Sequence, residues 1–400
     1  MADVHLWPAR RVLSDGSKEL SVTIEAPGAP REHLWYQIPA AWAESVSEEA
    51  DPLVTGALFR LMRLGRDARV HGDVSASLLA SLAEFQSAWA IWRPWKYKAV
   101  EIEADRETHP PATGRAVRAI SAFSGGVDSS FTAFRHVRGV AVRRALPLKA
   151  SVMVHGFDIP LSEPGMFERA RARAAEQVND LGLDLIPVAT NFRSLEVEWT
   201  DAFGSAVASS LMLFRKAFDT GIIAQGVPYH CYHHMVEGSN PLTDALLTSD
   251  TFRIIPDGAA FQRIDKIEAL SRWPAGVASL RVCWQGPEKD RNCCRCEKCI
   301  RNILSFRALG LGLPPCFERD VTDEQIRSVR GLKEITISVG YEEIIRTARL
   351  RGAADEPWVR AVRSAIRASR RDRMLRKADL RPLVRAVARR VRRLAHAATP

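Results

Sequence analysis

The chain has 400 residues, 46% of them apolar and 26% charged, a mix that excludes wholesale disorder and gives length enough for two or three domains with proper cores. Its formal net charge is +10, yet the last fifty residues carry fifteen Lys/Arg against four Asp/Glu and the first 350 carry 42 basic against 43 acidic residues. A near-neutral body therefore ends in a basic tail, and only the tail is marked for an anionic partner. No run approaches eighteen consecutive apolar residues, and the start, MADVHLWPARR, has no apolar h-region; the expectation is a soluble, cytoplasmic chain with no transmembrane segment.

Residues 1–112 predict an N-terminal α+β accessory domain. Leu34–Ile38 and Ala99–Glu103 read as strands, the second by alternation, and Asp51–Arg66 and Ser75–Ile91 carry helical periodicity, with Leu78, Leu79, Leu82 and Phe85 on one face. Trp89, Trp92 and Trp95 recur every three residues, but Pro94 ends the helix near Arg93. A core or docking cluster is the first reading of these tryptophans, and a nucleic-acid stacking platform the second. Ala104–Gly114, with Pro110 and Pro111, reads as a linker.

Residues 113–315 change rhythm to strand, loop, helix. Val117–Phe123, Ala150–Val154, Leu185–Val188, Gly221–Ala224 and Phe252–Pro256 have strand length, and Phe167–Asn179 and Asp201–Phe218 are helical. That alternation predicts an α/β fold, a doubly wound parallel sheet, with ligands at the carboxyl ends of its strands. Residues 316–400 predict a C-terminal helical, Arg-rich segment. Leu380, Leu383, Val384, Val387, Val391 and Leu394 recur at helical spacing opposite arginines. The tail reads as a solvated face, an RNA contact or an anchor on an anionic surface.

The loop after the first of these strands is Ser124-Gly125-Gly126-Val127-Asp128-Ser129-Ser130. Paired glycines allow a tight turn with inward N–H groups, hydroxyls surround them, and a helix N-terminus follows: an anion site. No Lys follows the glycines, which excludes the Walker loop. The SGGxDS pattern resembles the PP-loop of the ATP pyrophosphatase superfamily. The resemblance implies a PP-loop/HUP-like fold and cleavage of ATP between its α- and β-phosphates, with AMP displaced by a nitrogen or sulfur nucleophile. It implies that Ser124, Gly125, Gly126, Val127, Asp128, Ser129 and Ser130 cradle the pyrophosphate, with Asp128 and Ser129 catalytic and Asp128 helping to hold Mg²⁺. It places adenosine near His155, Gly156 and Phe157, with Asn191 and Gly226 on the same pocket.

Five of the seven cysteines fall between Cys283 and Cys299. Cys283, Cys293, Cys296 and Cys299 are spaced to close four thiolates about one Zn²⁺ in a structural site, with Cys294 pointing away; an iron–sulfur cluster is the competing occupant. Together with the loop, this knuckle resembles the 7-cyano-7-deazaguanine synthase family over Val117–Leu311, just under half the chain. That family makes a nitrile from a deazaguanine carboxylate by ATP-dependent addition of ammonia. The implied activity is an ATP-dependent, AMP-forming carbon–nitrogen ligase acting on a small-molecule carboxylate with ammonia or an amine. The resemblance also implies that Asp244 and Lys266 lie among the active-site groups, Lys266 as a point charge on phosphate and so catalytic; the alternative is a solvated first-turn residue for Lys266 and an ordinary solvated side chain for Asp244. Tyr229–His234 reads as a substrate-positioning or proton-relay segment, or as a polar loop. The alternatives are a tRNA- or nucleotide-modifying enzyme that holds RNA by its tail and a nucleotide-binding module without turnover. An RNA or protein acceptor and a homodimer remain open partners.

Overall fold

In the computed structural model of the chain, residues 3–109, 116–140, 142–332 and 334–377 are described. The predicted linker's Pro110, Pro111 and Gly114 and the tail heptads from Leu380 to Leu394 lie outside them. The chain runs β1 (Val4–Val12), β2 (Lys18–Glu25), β3 (Glu32–Ile38), α1 (Asp51–Leu64), β4 (Ala68–Ser75), α2 (Ala76–Trp92), β5 (Ile102–Thr108), β6 (Ala119–Ala122), α3 (Val127–Val137) and β7 (Leu148–His155). It continues through α4 (Pro164–Asp180), β8 (Asp184–Thr190), α5 (Trp199–Met212), β9 (Thr220–Ala224), β10 (Arg253–Asp257), α6 (Arg263–Leu270), α7 (Pro274–Ala278) and α8 (Glu297–Ala308). Three further helices follow, α9 (Asp323–Arg327), α10 (Ile335–Leu350) and α11 (Pro357–Lys377).

The fold is α/β, built on one large, mostly parallel sheet of ten strands in the order β10-β9-β6-β7-β8-β3-β2-β1-β4-β5. Strands β10, β9, β6, β7 and β8 are mutually parallel. Their side chains alternate between two cores because successive Cβ atoms leave a strand on opposite faces. Ile120, Val152 and Ile186 point to the face covered by α1, α2 and α5. Ala119, Met153 and Leu185 point to the face covered by α3, α4, α6 and α8. From β6 the chain moves one way to β7 and β8, then returns to the other side for β9 and β10. A crevice therefore opens between the carboxyl ends of β6 and β9, the switch point where α/β sheets bind ligands.

The first 109 residues extend this sheet edge to edge. Strand β3 runs antiparallel to β8, pairing Tyr36 with Thr190. Asn191 secures the seam: its Oδ1 accepts from Trp35 N at 2.9 Å and its Nδ2 donates to His33 O at 2.6 Å. Beneath it, the buried Tyr36 hydroxyl meets Ser209 Oγ of α5 at 2.7 Å. Ala104–Thr108, read as linker, instead belong to β5, where Val70 pairs with Ala104 and Ser75 with Thr108. The strand expected at Ala99–Glu103 thus starts three residues later and runs on to Thr108. Trp89 is fully buried and Trp92 packs edge-on to it, whereas Trp95, beyond the helix end, is 71% exposed. Two of the three tryptophans are therefore core. Among the described residues no helix is long and apolar enough to cross a membrane.

Candidate functional site

Strand β6 delivers the chain to the switch point, and Ser124–Gly126 turn it into α3. Gly125 adopts φ +74°, the left-handed region that a side chain would strain. The turn is braced from within: Ser129 Oγ accepts from Ser124 N at 3.1 Å and donates to Gly126 O at 3.2 Å. No side chain caps the N-terminus of α3, which leaves its first-turn N–H groups to a ligand. Arg281 clamps the loop from outside. Its backbone N–H donates to Gly125 O at 2.8 Å, and its guanidinium donates to Ser124 O at 3.0 Å and to Lys289 O at 2.9 Å.

Asp128, second residue of α3, meets Lys266 Nζ through Oδ1 at 2.8 Å and Arg263 Nη2 through Oδ2 at 2.7 Å. Lys266 also donates to Gln225 O at 2.5 Å. Burial works against the charge on Asp128, yet Arg263 and Lys266 hold its carboxyl well below the usual carboxylate range. Lys266 is buried rather than solvated; burial pulls its ammonium down against the opposing pull of Asp128. Because α6 follows β10 and Gln225 follows β9, three strand ends converge on one carboxylate. Gly226 completes the contact: a Cβ there would lie 3.6 Å from Asp128 Oδ2. Both oxygens of Asp128 are thus engaged by cations.

Two connected cavities open from this point. The inner one, about 310 Å³, is lined by Phe123, Val152, Val154, Phe157, Trp199, Phe203, Leu211 and Ile223, with Ser124, Asp128, Ser129 and Gly226 at its polar end. The outer one, about 960 Å³, shares Ser124, Asp128, Phe157 and Arg281 and adds Arg93, Arg193, Arg263, Lys289, Lys298 and Arg301. Asp128, Asp158, Asp201, Glu237 and Glu334 line the outer cavity as well, so an apolar, aromatic slot leads past a glycine loop into a highly charged cleft with a small excess of basic residues.

Glu237 lines both cavities. Burial, reinforced by Asp128, pushes its carboxyl up to about 7. Behind it, Asp244 accepts from Ser239 Oγ at 2.6 Å, Gln225 Nε2 at 2.7 Å and Asn240 N at 3.1 Å. Burial still outweighs those bonds and raises Asp244 to about 6. The Tyr229–His234 segment supplies this network with one group, the Tyr232 hydroxyl, which donates to Gln225 Oε1 at 3.3 Å; His230, His233 and His234 are exposed.

The four expected cysteines converge. Their Sγ atoms all lie within 4.8 Å of one another, with Cys283 and Cys296 3.6 Å apart and Cys293 and Cys299 3.9 Å apart. A tetrahedral ion with metal–sulfur bonds of about 2.3 Å needs sulfurs about 3.8 Å apart. The donor set therefore fits one metal ion and is compatible with zinc. It is too tight for a cubane cluster, which places each thiolate on a separate iron. Cys294, at φ +56°, turns its sulfur toward Asn292 O and stays outside the set.

Of the residues singled out from the sequence, Ser124, Gly126, Val127, Asp128, Ser129, Gly156, Phe157 and Gly226 border one or both cavities, and Lys266 reaches the site through Asp128. Ser130 is buried, with no partner for its hydroxyl among the described residues. His155 borders neither cavity: its Nε2 sits 2.9 Å from Pro160 O and its ring stacks on Phe167 at 4.5 Å. Asn191 touches the outer cleft, but its side chain is engaged at the β3 seam. Sequence reasoning missed Arg263, Arg281, Glu237 and the aromatic wall of Trp199 and Phe203. Arg263 sits three residues before Lys266 and Arg281 two before Cys283, spacings that mark nothing unless the loop they serve is already placed. No family model, no curated protein and no solved structure matches the chain.

Proposed function

We propose that the chain is an ATP-dependent, AMP-forming ligase of the PP-loop type, joining nitrogen to an activated carboxylate. The observation that carries this reading is the uncapped glycine loop at the β6/β9 switch point, locked to Lys266 and Arg263 through Asp128. The apolar slot beside it suits a purine between Phe157, Trp199 and Val154. The loop amides suit the β- and γ-phosphates. An acceptor carboxylate oxygen attacks the α-phosphorus, the α–β bridging P–O bond breaks, and its electron pair leaves on pyrophosphate. Arg281, and the net positive charge that Lys266 and Arg263 leave after pairing with Asp128, stand where that negative charge accumulates, which is electrostatic catalysis. A nitrogen nucleophile then attacks the acyl carbon, the bond to AMP breaks, and the nitrogen gives up a proton. The four cysteines hold a structural zinc in this reading, with no ligand position left for substrate.

The test is nucleotide product analysis with ATP, magnesium, ammonium and a panel of carboxylates that includes 7-carboxy-7-deazaguanine, with Asp128→Ala as control. AMP and pyrophosphate formed by the wild type and not by the variant support the assignment. ADP and phosphate overturn it.

A further inference from the structure

Lys298 is the second residue of α8, between two cysteines of the metal set, so the knuckle fixes its backbone. Its Nζ lies 4.8 Å from the ring centroid of Trp284, the residue after Cys283, and both side chains line the outer cleft. Among the described residues no acceptor lies within hydrogen-bond or ion-pair distance of Lys298; Asp158, which lines the same cleft, acts on it only from farther away. Arg263 and Arg301 line the same cleft. Each already has its acid: Arg263 holds Asp128 at 2.7 Å and Arg301 holds Glu297 at 2.9 Å. A half-buried ammonium beside two guanidiniums, in the first turn of a helix whose dipole favours the opposite sign, costs free energy in the empty protein. An anion relieves that cost.

We propose that Lys298 is the anion-binding group of an acceptor subsite in the outer cleft, and that the group it receives is a carboxylate. The proposal rests on the ligase reading for one point, which anion arrives. The inner slot takes the base, and the loop, whose Ser124, Gly126, Val127 and Asp128 line the outer cleft together with Lys298, brings the phosphates there. The loop has its own amides for the phosphates, and an acceptor must lie beside the phosphorus it attacks, so the second substrate shares this cleft. A carboxylate must be ionised to attack phosphorus. Trp284 holds the lysine in place through its ring face, and one charge-assisted hydrogen bond orients the acceptor.

The probe is benzoate, with inorganic phosphate as the competing anion, titrated into full-length protein with and without a non-hydrolysable ATP analogue. The readout is the rate at which acetic anhydride acetylates Lys298, followed peptide by peptide. Benzoate is expected to slow acetylation of Lys298 saturably, with the analogue present, and to leave exposed lysines unchanged. By calorimetry, Lys298→Met is expected to weaken benzoate binding by about tenfold or more, with Lys298→Arg restoring most of it and analogue affinity unchanged in both. Protection by the analogue alone would place the nucleotide on Lys298 and overturn the assignment. So would protection by phosphate with none by benzoate, or benzoate affinity unchanged in Lys298→Met. An analogue that fails to bind while benzoate still protects Lys298 would refute the ligase reading and leave an anion site standing.

Discussion

Glu237 offers a test in which stability and chemistry pull in opposite directions. Its carboxyl stands where the two cavities meet, faced by Asp128, Asp244, Arg263 and Lys298 and close to Cys231 and Tyr232. Burial holds it at about 7 instead of the ordinary 4.5. At about 1.36 kcal/mol per pKa unit, and with partial screening of a half-buried group, the charged form costs about 2–3 kcal/mol. The folded state binds this proton more tightly than the unfolded state. The cost is therefore absent below pH 4.5, grows as pH rises, and is complete above pH 7. Glu237→Gln keeps the shape and removes the charge. In urea unfolding the variant should match the wild type near pH 4.5 and exceed it by about 2–3 kcal/mol at pH 8. On the proposed ligase reading its turnover should fall as well, since a neutral amide cannot take the proton that the nitrogen nucleophile gives up, as the Glu237 carboxylate could. A stability difference that does not change between pH 5 and pH 8 would show that the junction is wet and that burial does not raise the Glu237 carboxyl.

Other consequences follow from the loop and the knuckle. Arg281→Met removes the guanidinium bonds to Ser124 O and Lys289 O and should weaken binding of an ATP analogue by about tenfold, read by calorimetry, and lower the melting temperature, because two carbonyls lose their donors. Gly156→Ala should destabilise the fold by more than about 3 kcal/mol, measured by thermal unfolding, because φ is +104° and a Cβ would lie 2.0 Å from Thr190 O. Elemental analysis should find one metal ion per chain, and Cys283→Ser should lose it. Stripping the ion should also expose the segment around Arg281–Cys299 to protease.

The parallel half of the fold was legible because its signals are local. Short apolar runs separated by amphipathic helices gave β6 to β10 to within a few residues, and a glycine pair before a helix marked the loop. The hairpin of β1 and β2 and the strand β4 were not read. In β1 only Val4 and Leu6 are buried and the rest of the strand is polar or exposed, so its alternation fades after four residues. Strand β5 hid in Ala104–Thr108, where Asp105, Arg106 and Glu107 look like linker and are in fact an edge strand kept charged. In the site, Asp128 and the four cysteines were legible as motifs. Arg263, Glu237 and Arg281 were not, because their meaning depends on contacts across more than a hundred residues of sequence. The expectation for His155 and Asn191 came from their place after a strand. Position alone does not tell a residue that faces a pocket from one that holds its wall.

The metal knuckle and the glycine loop form one mechanical unit. Arg281 grips both Ser124 O and Gly125 O, and two residues later Cys283 enters the metal set. From Cys296 the chain turns directly into α8, which carries Lys298 and Arg301 to the cleft. Asn292 ties the two ends of the knuckle: its Oδ1 accepts from Val282 N at 2.8 Å and its Nδ2 donates to Leu280 O at 2.8 Å and to Cys316 O at 2.9 Å. An ion held by these four cysteines would have no free position for catalysis, yet it would fix the spacing between the loop on one wall and Lys298 on the other. Metal loss should therefore weaken ATP-analogue binding and benzoate binding together. A metal-free protein that kept both affinities would separate the knuckle from the cleft and reduce it to a surface staple.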